Sequence, residues 1–344
     1  MHPYERVPDR AFWSRAVSNR HVSTLTELFD GMGSLEGATI ATAGSCFAQH
    51  IGRALRGRGL GYLDLEPPPA FLTEDEANRL GYGLYSCRYG NIYTVRQLLQ
   101  LFQEAHGERK PQDAIWTAKK RHFDALRPGL QPNGFASPDE VRVLRGAHLA
   151  AIRQMFARAD VFIFTLGLTE AWQSLLDGTI YPSAPGVIAG DYDPQRYGFV
   201  NFRYPEVRGD FETFLTLLRQ RKPGVRVLLT VSPVPLAATA SGDHVLVATT
   251  QSKATLRAVA GDLADEHDDV FYFPSYEVIT GQPARHGLYA PDLRNVVQAG
   301  VDTVMQHFFA AEGKAALPAA PSPAAPEIAS GYEYCEEALL GDLP

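Results

Sequence analysis

Four short stretches of the chain are almost continuously apolar: 38–43, 161–166, 225–231 and 270–273. Runs of four to eight such residues suit strands buried on both faces. Each is followed by turn residues and then by a stretch with helix-like spacing. From Phe47 to Leu55, the residues Phe47, Ile51, Ala54 and Leu55 share one helical face, and Gly57 and Gly59 end the pattern. Further helical spacing covers 94–105, 137–157, 211–220, 247–265 and 297–311. Strands alternating with helices of this length predict crossover units. The expected fold is α/β, a three-layer α/β/α sandwich around a mainly parallel, doubly wound sheet.

The segments 60–93, 107–136 and 173–209 are loop-rich and too long to be connectors, so they are expected to build a cap over the carboxyl edge of the sheet. The folded domain is expected over 1–312. An Ala/Pro-rich linker follows at 313–327, and an acidic amphipathic tail at 328–344 either docks or frays. There is no internal repeat.

Composition narrows the class. The chain has 344 residues, 45% of them hydrophobic and 21% charged, enough to build a core in one large domain or two modest ones. Its 32 Lys and Arg against 39 Asp and Glu give a net charge of -7, which argues against a nucleic-acid footprint. Cys46, Cys87 and Cys335 are too few and too scattered for a disulfide framework and fit a reducing compartment. The start of the chain lacks a signal-peptide pattern, and no run of roughly 18 apolar residues would span a membrane. A cytoplasmic location is the expectation.

In open parallel sheets, ligands bind beyond the carboxyl ends of the strands. Gly44-Ser45-Cys46-Phe47-Ala48 follows the first strand. There Ser45 would stand at a helix mouth, where backbone N–H groups and the dipole stabilise developing negative charge. It is either a nucleophile or a helix cap. Cys46 is a rival nucleophile or a small buried hydrophobe.

That string resembles the signature of the GSCFA family, whose members look like divergent SGNH/GDSL hydrolases. Tyr89-Gly90-Asn91-Ile92-Tyr93-Thr94, Thr165-Leu166-Gly167-Leu168-Thr169-Glu170-Ala171-Trp172, Thr230-Val231-Ser232-Pro233-Val234-Pro235 and Tyr272-Phe273-Pro274-Ser275-Tyr276-Glu277 are similar to that family's blocks, in the same order. The resemblance implies that Ser45 attacks an acyl carbon and that the oxyanion is held by the Ser45 N–H, by Gly90 and by Thr169. Thr169 stands where the superfamily usually has asparagine. The last block departs further, because Asp292-Leu293-Arg294-Asn295 replaces Asp-x-x-His. The base must then be another histidine, or the triad is incomplete. His244, beside Asp243 and close to the small residues Ala240, Ser241 and Gly242, is the first choice; His286 is the second. Asp292 or Asp243 would orient the imidazole. His50, on the helix after Ser45, is expected to face outward or pack at the helix surface.

Binding candidates at the rim are the cations Arg96, Lys253, Arg257, Arg285 and Arg294, which could hold a carboxylate or phosphate. Glu170 lies among them, and Trp172, Tyr181 and Tyr276 offer flat faces to a sugar or pack in the core. No metal-ligand spacing, phosphate loop or dinucleotide fingerprint occurs, so neither a metal nor another cofactor is expected. The expected activity is a serine-dependent acyl esterase or O-acyltransferase on an acylated small molecule or carbohydrate. The alternative is a ligand-binding or scaffold protein that kept the fold and lost catalysis.

Overall fold

Each of the four apolar stretches becomes a strand, and shorter strands form in the segments between them. In this computed structural model, which describes residues 2–311 together with Gly313 and Leu339, the strands are β1 (Ile40–Gly44), β2 (Ile115–Ala118), β3 (Arg121–Asp124), β4 (Val161–Leu166), β5 (Glu170–Ser174), β6 (Ile180–Tyr181), β7 (Tyr197–Asn201), β8 (Arg226–Val231) and β9 (Val270–Tyr272). The helices are α1 (Trp13–Ala16), α2 (Ala48–Gly57), α3 (Glu74–Arg79), α4 (Val95–Ala105), α5 (Pro138–Arg158), α6 (Tyr204–Arg221), α7 (Val245–Glu266), α8 (Ser275–Thr280) and α9 (Gln298–Ala311).

The central sheet runs β1-β4-β8-β9, all parallel, with Ile40 opposite Val161 and Val161 opposite Arg226. Its residues alternate between two cores, as a period of two requires. Phe162, Phe164, Val227 and Leu229 pack with Phe102 of α4, Phe156 of α5, Phe214 of α6 and Leu256 of α7. Ile40, Val161, Ile163 and Leu228 pack on the other side with Ile51 of α2, Val278 of α8 and Phe308 of α9. These are the three layers of an α/β/α sandwich.

One edge of β1 carries a further short pairing. Ile40 donates to the Gly61 carbonyl at 2.8 Å and accepts from the Leu63 N–H at 2.8 Å, in parallel register with Tyr62. Segment 61–63 therefore flanks β1 on the side away from β4. The chain leaves β1 through α2 to one side and crosses to β4 on the other by way of α4 and α5. The carboxyl ends of β1 and β4 thus form a topological switch point, where crevices open in doubly wound sheets.

Outside the central sheet, β2 and β3 form a hairpin whose turn residues Lys119 and Lys120 both have positive φ, as a tight two-residue hairpin turn demands. The chain after β4 differs from the sequence expectation. Instead of turning into a helix, it continues as β5, the centre of an antiparallel sheet β6-β5-β7. Helix α6 begins at Tyr204, well before residue 211, because Pro205 suits the first helical turn and the Glu206 carboxylate accepts from the Arg203 N–H at 2.9 Å. Among the described residues no helix is long and apolar enough to cross a membrane. The expected linker and tail lie outside the described residues except for Gly313 and Leu339.

Candidate active site

Strand β1 ends at Gly44, whose φ is +134°; a β-carbon there would lie 2.4 Å from the Thr165 carbonyl oxygen. This tight exit delivers Ser45 to the switch point. The Ser45 N–H donates to the Thr165 carbonyl at 3.1 Å, and the Ser45 carbonyl accepts from the Ala48 N–H at 2.9 Å as α2 begins. No side-chain hydrogen bond caps α2, so the capping alternative for Ser45 is not the one adopted. Its Oγ is buried with no hydrogen-bond partner among the described residues. Such a buried orphan costs about 1–3 kcal/mol.

The walls around Ser45 come from two of the blocks singled out by sequence. Gly167 abuts it so closely that a β-carbon would fall 2.9 Å from the Ser45 β-carbon and 3.1 Å from the Tyr93 carbonyl oxygen. The Gly167 and Leu168 N–H groups both donate to that Tyr93 carbonyl, at 3.1 and 2.9 Å. Below the serine, Tyr85 Oη lies 2.5 Å from Asn91 Oδ1 and 3.2 Å from the Ser45 carbonyl oxygen, and Gln49 donates to Tyr85 at 3.1 Å. Gln97 fastens the same loop by donating to the Asn91 carbonyl at 2.9 Å and accepting from the Tyr93 N–H at 3.0 Å.

Lys253, expected at the rim, lies in the interior instead. It is 1% exposed on α7, and its Nζ donates to the Gly167 carbonyl at 2.8 Å. Gly167 therefore links the two groups: it packs against Ser45 and its carbonyl accepts from the lysine Nζ.

The other expected site residues fall elsewhere or are already engaged. Thr169 donates its N–H to Ser252 Oγ at 3.0 Å and its hydroxyl to Asn201 Oδ1 at 2.7 Å, so both donors are committed away from an oxyanion. The Ser45 N–H is committed to Thr165 as described. Gly90 is buried with φ +71° at the turn before Asn91. His244 is exposed and caps α7, its Nδ1 accepting from the Leu246 N–H at 3.2 Å. Asp243, beside it, is exposed. His286 is exposed in left-handed backbone with φ +60°. Neither imidazole hydrogen-bonds Ser45. Asp292 is exposed and accepts from the N–H groups of Arg294 and Asn295 at 3.0 Å each and from the Asn295 side chain at 2.5 Å, which closes a turn. His50 does not face outward: it is 5% exposed, its ring 5.4 Å from that of Phe47. Cys46 is buried, as its reading as a small hydrophobe expects.

Two of the candidate cations are held by acids. Arg96 Nε lies 2.7 Å from both carboxylate oxygens of Asp210, and Arg257 donates to Glu277 at 2.5 Å while sitting over the Tyr272 ring. Arg285 is exposed, and Tyr276 packs partly buried against the larger core.

A cavity of about 280 Å³ opens beyond Tyr93 and Leu168. Tyr93 and Leu168 line it, and the Tyr93 carbonyl that accepts from Leu168 also accepts from Gly167, the glycine packed against Ser45; Ser45 itself is not in the lining. Leu236, Trp172, Tyr181 and Phe199 supply apolar walls, and Glu170 supplies a carboxylate. Glu170 is 8% exposed, and both of its oxygens lie within 2.9 Å of the Thr239 hydroxyl. Burial, with the nearby Asp243 charge, raises its carboxyl above the ordinary range despite the hydrogen bonds from Thr239 and Ala240. Sequence reasoning singled out Glu170, Trp172 and Tyr181 and noted the small residue Ala240, but gave Tyr93 no site role and did not name Ala238 or Thr239.

A model of the GSCFA family matches residues 39–308 of the chain. No curated protein and no solved structure matches it.

Proposed function

The chain belongs to the GSCFA family, and on that footing we propose that it is a serine-dependent acyl esterase or O-acyltransferase acting on an acylated small molecule or carbohydrate. The observation that carries this reading is the Ser45 hydroxyl. It is held at the switch point, beside the start of α2, buried and unpartnered. Among the described residues the neighbouring Thr165 hydroxyl is also without a partner, and a fold that leaves polar atoms orphaned in this position gives up stability for which reactivity is a physical reason. The acyl carbon would be attacked by Ser45 Oγ, and the wall formed by Tyr93 and Leu168 would have to part to admit it.

With His244 capping α7 and neither His244 nor His286 bonded to Ser45, the proton acceptor in this reading is Lys253, acting as a neutral amine tied to the glycine that touches Ser45. Serine–lysine pairs perform this task on other folds. The lysine takes the hydroxyl proton as the Oγ–carbon bond forms and returns it to the departing alcohol; water or an acceptor hydroxyl then resolves the acyl-enzyme. Hydrolysis of short-chain p-nitrophenyl esters, together with fluorophosphonate labelling read by mass spectrometry, tests the proposal. Ser45→Ala is expected to lower turnover about 10³-fold or more and to abolish labelling, and Lys253→Met to abolish turnover as well. Unchanged ester cleavage in Ser45→Ala would overturn the nucleophile assignment.

The second reading is a ligand-binding protein without catalysis. It is favoured by the sealed Ser45 oxygen and by the absence of any imidazole bonded to it among the described residues. No labelling of the wild-type chain, with retained ligand binding, would select it.

A further inference from the structure

We infer that the cavity beside Ser45 takes an organic cation, with an ammonium group set against the Glu170 carboxylate among aromatic rings. As a statement of substrate class this rests on the acyl-transfer reading; as a statement of binding it does not. Tyr93, Trp172, Tyr181 and Phe199 are among the lining residues. Aromatic faces attract cations through their quadrupoles, most strongly where water is excluded. Glu170 is the one carboxylate in the lining; no lysine, arginine or histidine is there. Among the described residues this carboxylate forms no ion pair: it accepts from Thr239, and the charge that acts on it is that of another acid, Asp243. The nearby Arg96 is taken by Asp210.

A carboxylate partly withdrawn from water without a countercharge is costly. Burial and Asp243 together push the Glu170 carboxyl upward, the direction expected of an acid lacking a cation. An ammonium group entering from the cavity would supply that charge. The volume, about 280 Å³, lies near the lower end of ligand pockets, about 300 Å³, and so suits a compact headgroup. The competing role for Glu170 is to staple the 238–241 loop through Thr239, which the test must separate.

The test uses the full chain with choline and its uncharged isostere 3,3-dimethylbutan-1-ol, their affinities measured by calorimetry and by tryptophan fluorescence. Choline is expected to bind more tightly by about tenfold or more. Glu170→Gln should reduce that preference to near unity, whereas Thr239→Ala, which breaks the staple and keeps the carboxylate, should retain it. Ser45→Ala should retain it too. Equal affinities in the wild-type chain, no binding of either probe, or an unchanged preference in Glu170→Gln would each overturn the inference. So would a preference lost equally in Thr239→Ala. Choline binding in a chain that fluorophosphonate does not label would leave this inference standing and remove the catalytic reading; labelling without choline preference would do the reverse.

Discussion

Two buried polar regions of this protein follow opposite rules. Under the cap, six ionisable side chains from distant parts of the chain meet and find partners. Asp124 of β3 accepts from Arg127 Nε at 2.7 Å and from Arg145 Nη1 at 2.9 Å; Arg145 also donates to Glu104 of α4 at 2.8 Å. His148 Nδ1 lies 2.6 Å from Glu66, which also accepts from the Arg88 N–H at 2.6 Å. Arg127 reaches further, donating to the Arg88 carbonyl at 2.8 Å. The network ties the β2–β3 hairpin and segment 60–93 to α4 and α5. The cavity beside it, about 30 Å³, has room for little more than one water. The Ser45 corner, also buried, leaves its hydroxyl without a partner. Charges taken out of water are tolerated where every one is matched, and mismatch is kept where a ligand or a reaction can use it.

Breaking the matched region should have the larger effect on stability. Arg145→Met leaves Glu104 and Asp124 short of a cation in a dry setting and is expected to cost about 3–5 kcal/mol, measured by urea unfolding. A loss under 1 kcal/mol, roughly the scale of a surface pair, would mean that the network is wetter than its burial suggests. Acid should attack the same region in two stages. Burial and the repulsion of Arg127 outweigh Glu66 and hold His148 at about 4, below the ordinary value of about 6.5. Between those values the unfolded chain takes up a proton that the folded chain refuses, so stability falls as pH drops from about 6.5 to about 4. For Asp124, burial alone would raise the carboxyl, but Arg145 and Arg127 outweigh it and hold it at about 2. Its stabilisation is present above about 4 and is lost as pH falls toward 2. His148→Gln should flatten the upper stage most, a difference visible in unfolding midpoints against pH.

The unmatched region should give the smallest change and the opposite sign. Ser45→Ala removes an orphaned hydroxyl and is expected to raise stability by about 1 kcal/mol, within the usual cost of such a group. A destabilisation of that size, read by the same urea titration, would show that the hydroxyl has a partner after all and would erase the contrast.

The alternation of apolar runs with helical spacing placed the four central strands and most of the helices packed on them to within a few residues, because those patterns are local; α6 starts earlier than expected and α8 was not expected. The cap was harder to read. Glu170 to Ser174 follows β4 closely enough to look like a strand-to-helix turn, yet it pairs with Tyr197 to Asn201 across a long segment. In the candidate site, the position of Ser45 and the nearness of Glu170 and Trp172 to a cavity were legible. The role expected of His244 was not met at Ser45, since its ring serves the α7 N-terminus, and Lys253 moved from rim to interior. His148, which stands out in no motif, became a fully enclosed partner of Glu66, a residue 82 positions away.

By itself the sequence determined the layers, the order of the strands along the chain and the serine at the exit of the first. These rest on periodicity, on glycine at a turn and on apolar runs, all carried by neighbouring residues. Only the tertiary structure decided which polar side chains are engaged and which is left over. A hydrogen bond needs two groups within about 3 Å, and partners separated by tens of residues meet at that range only when the whole chain has packed.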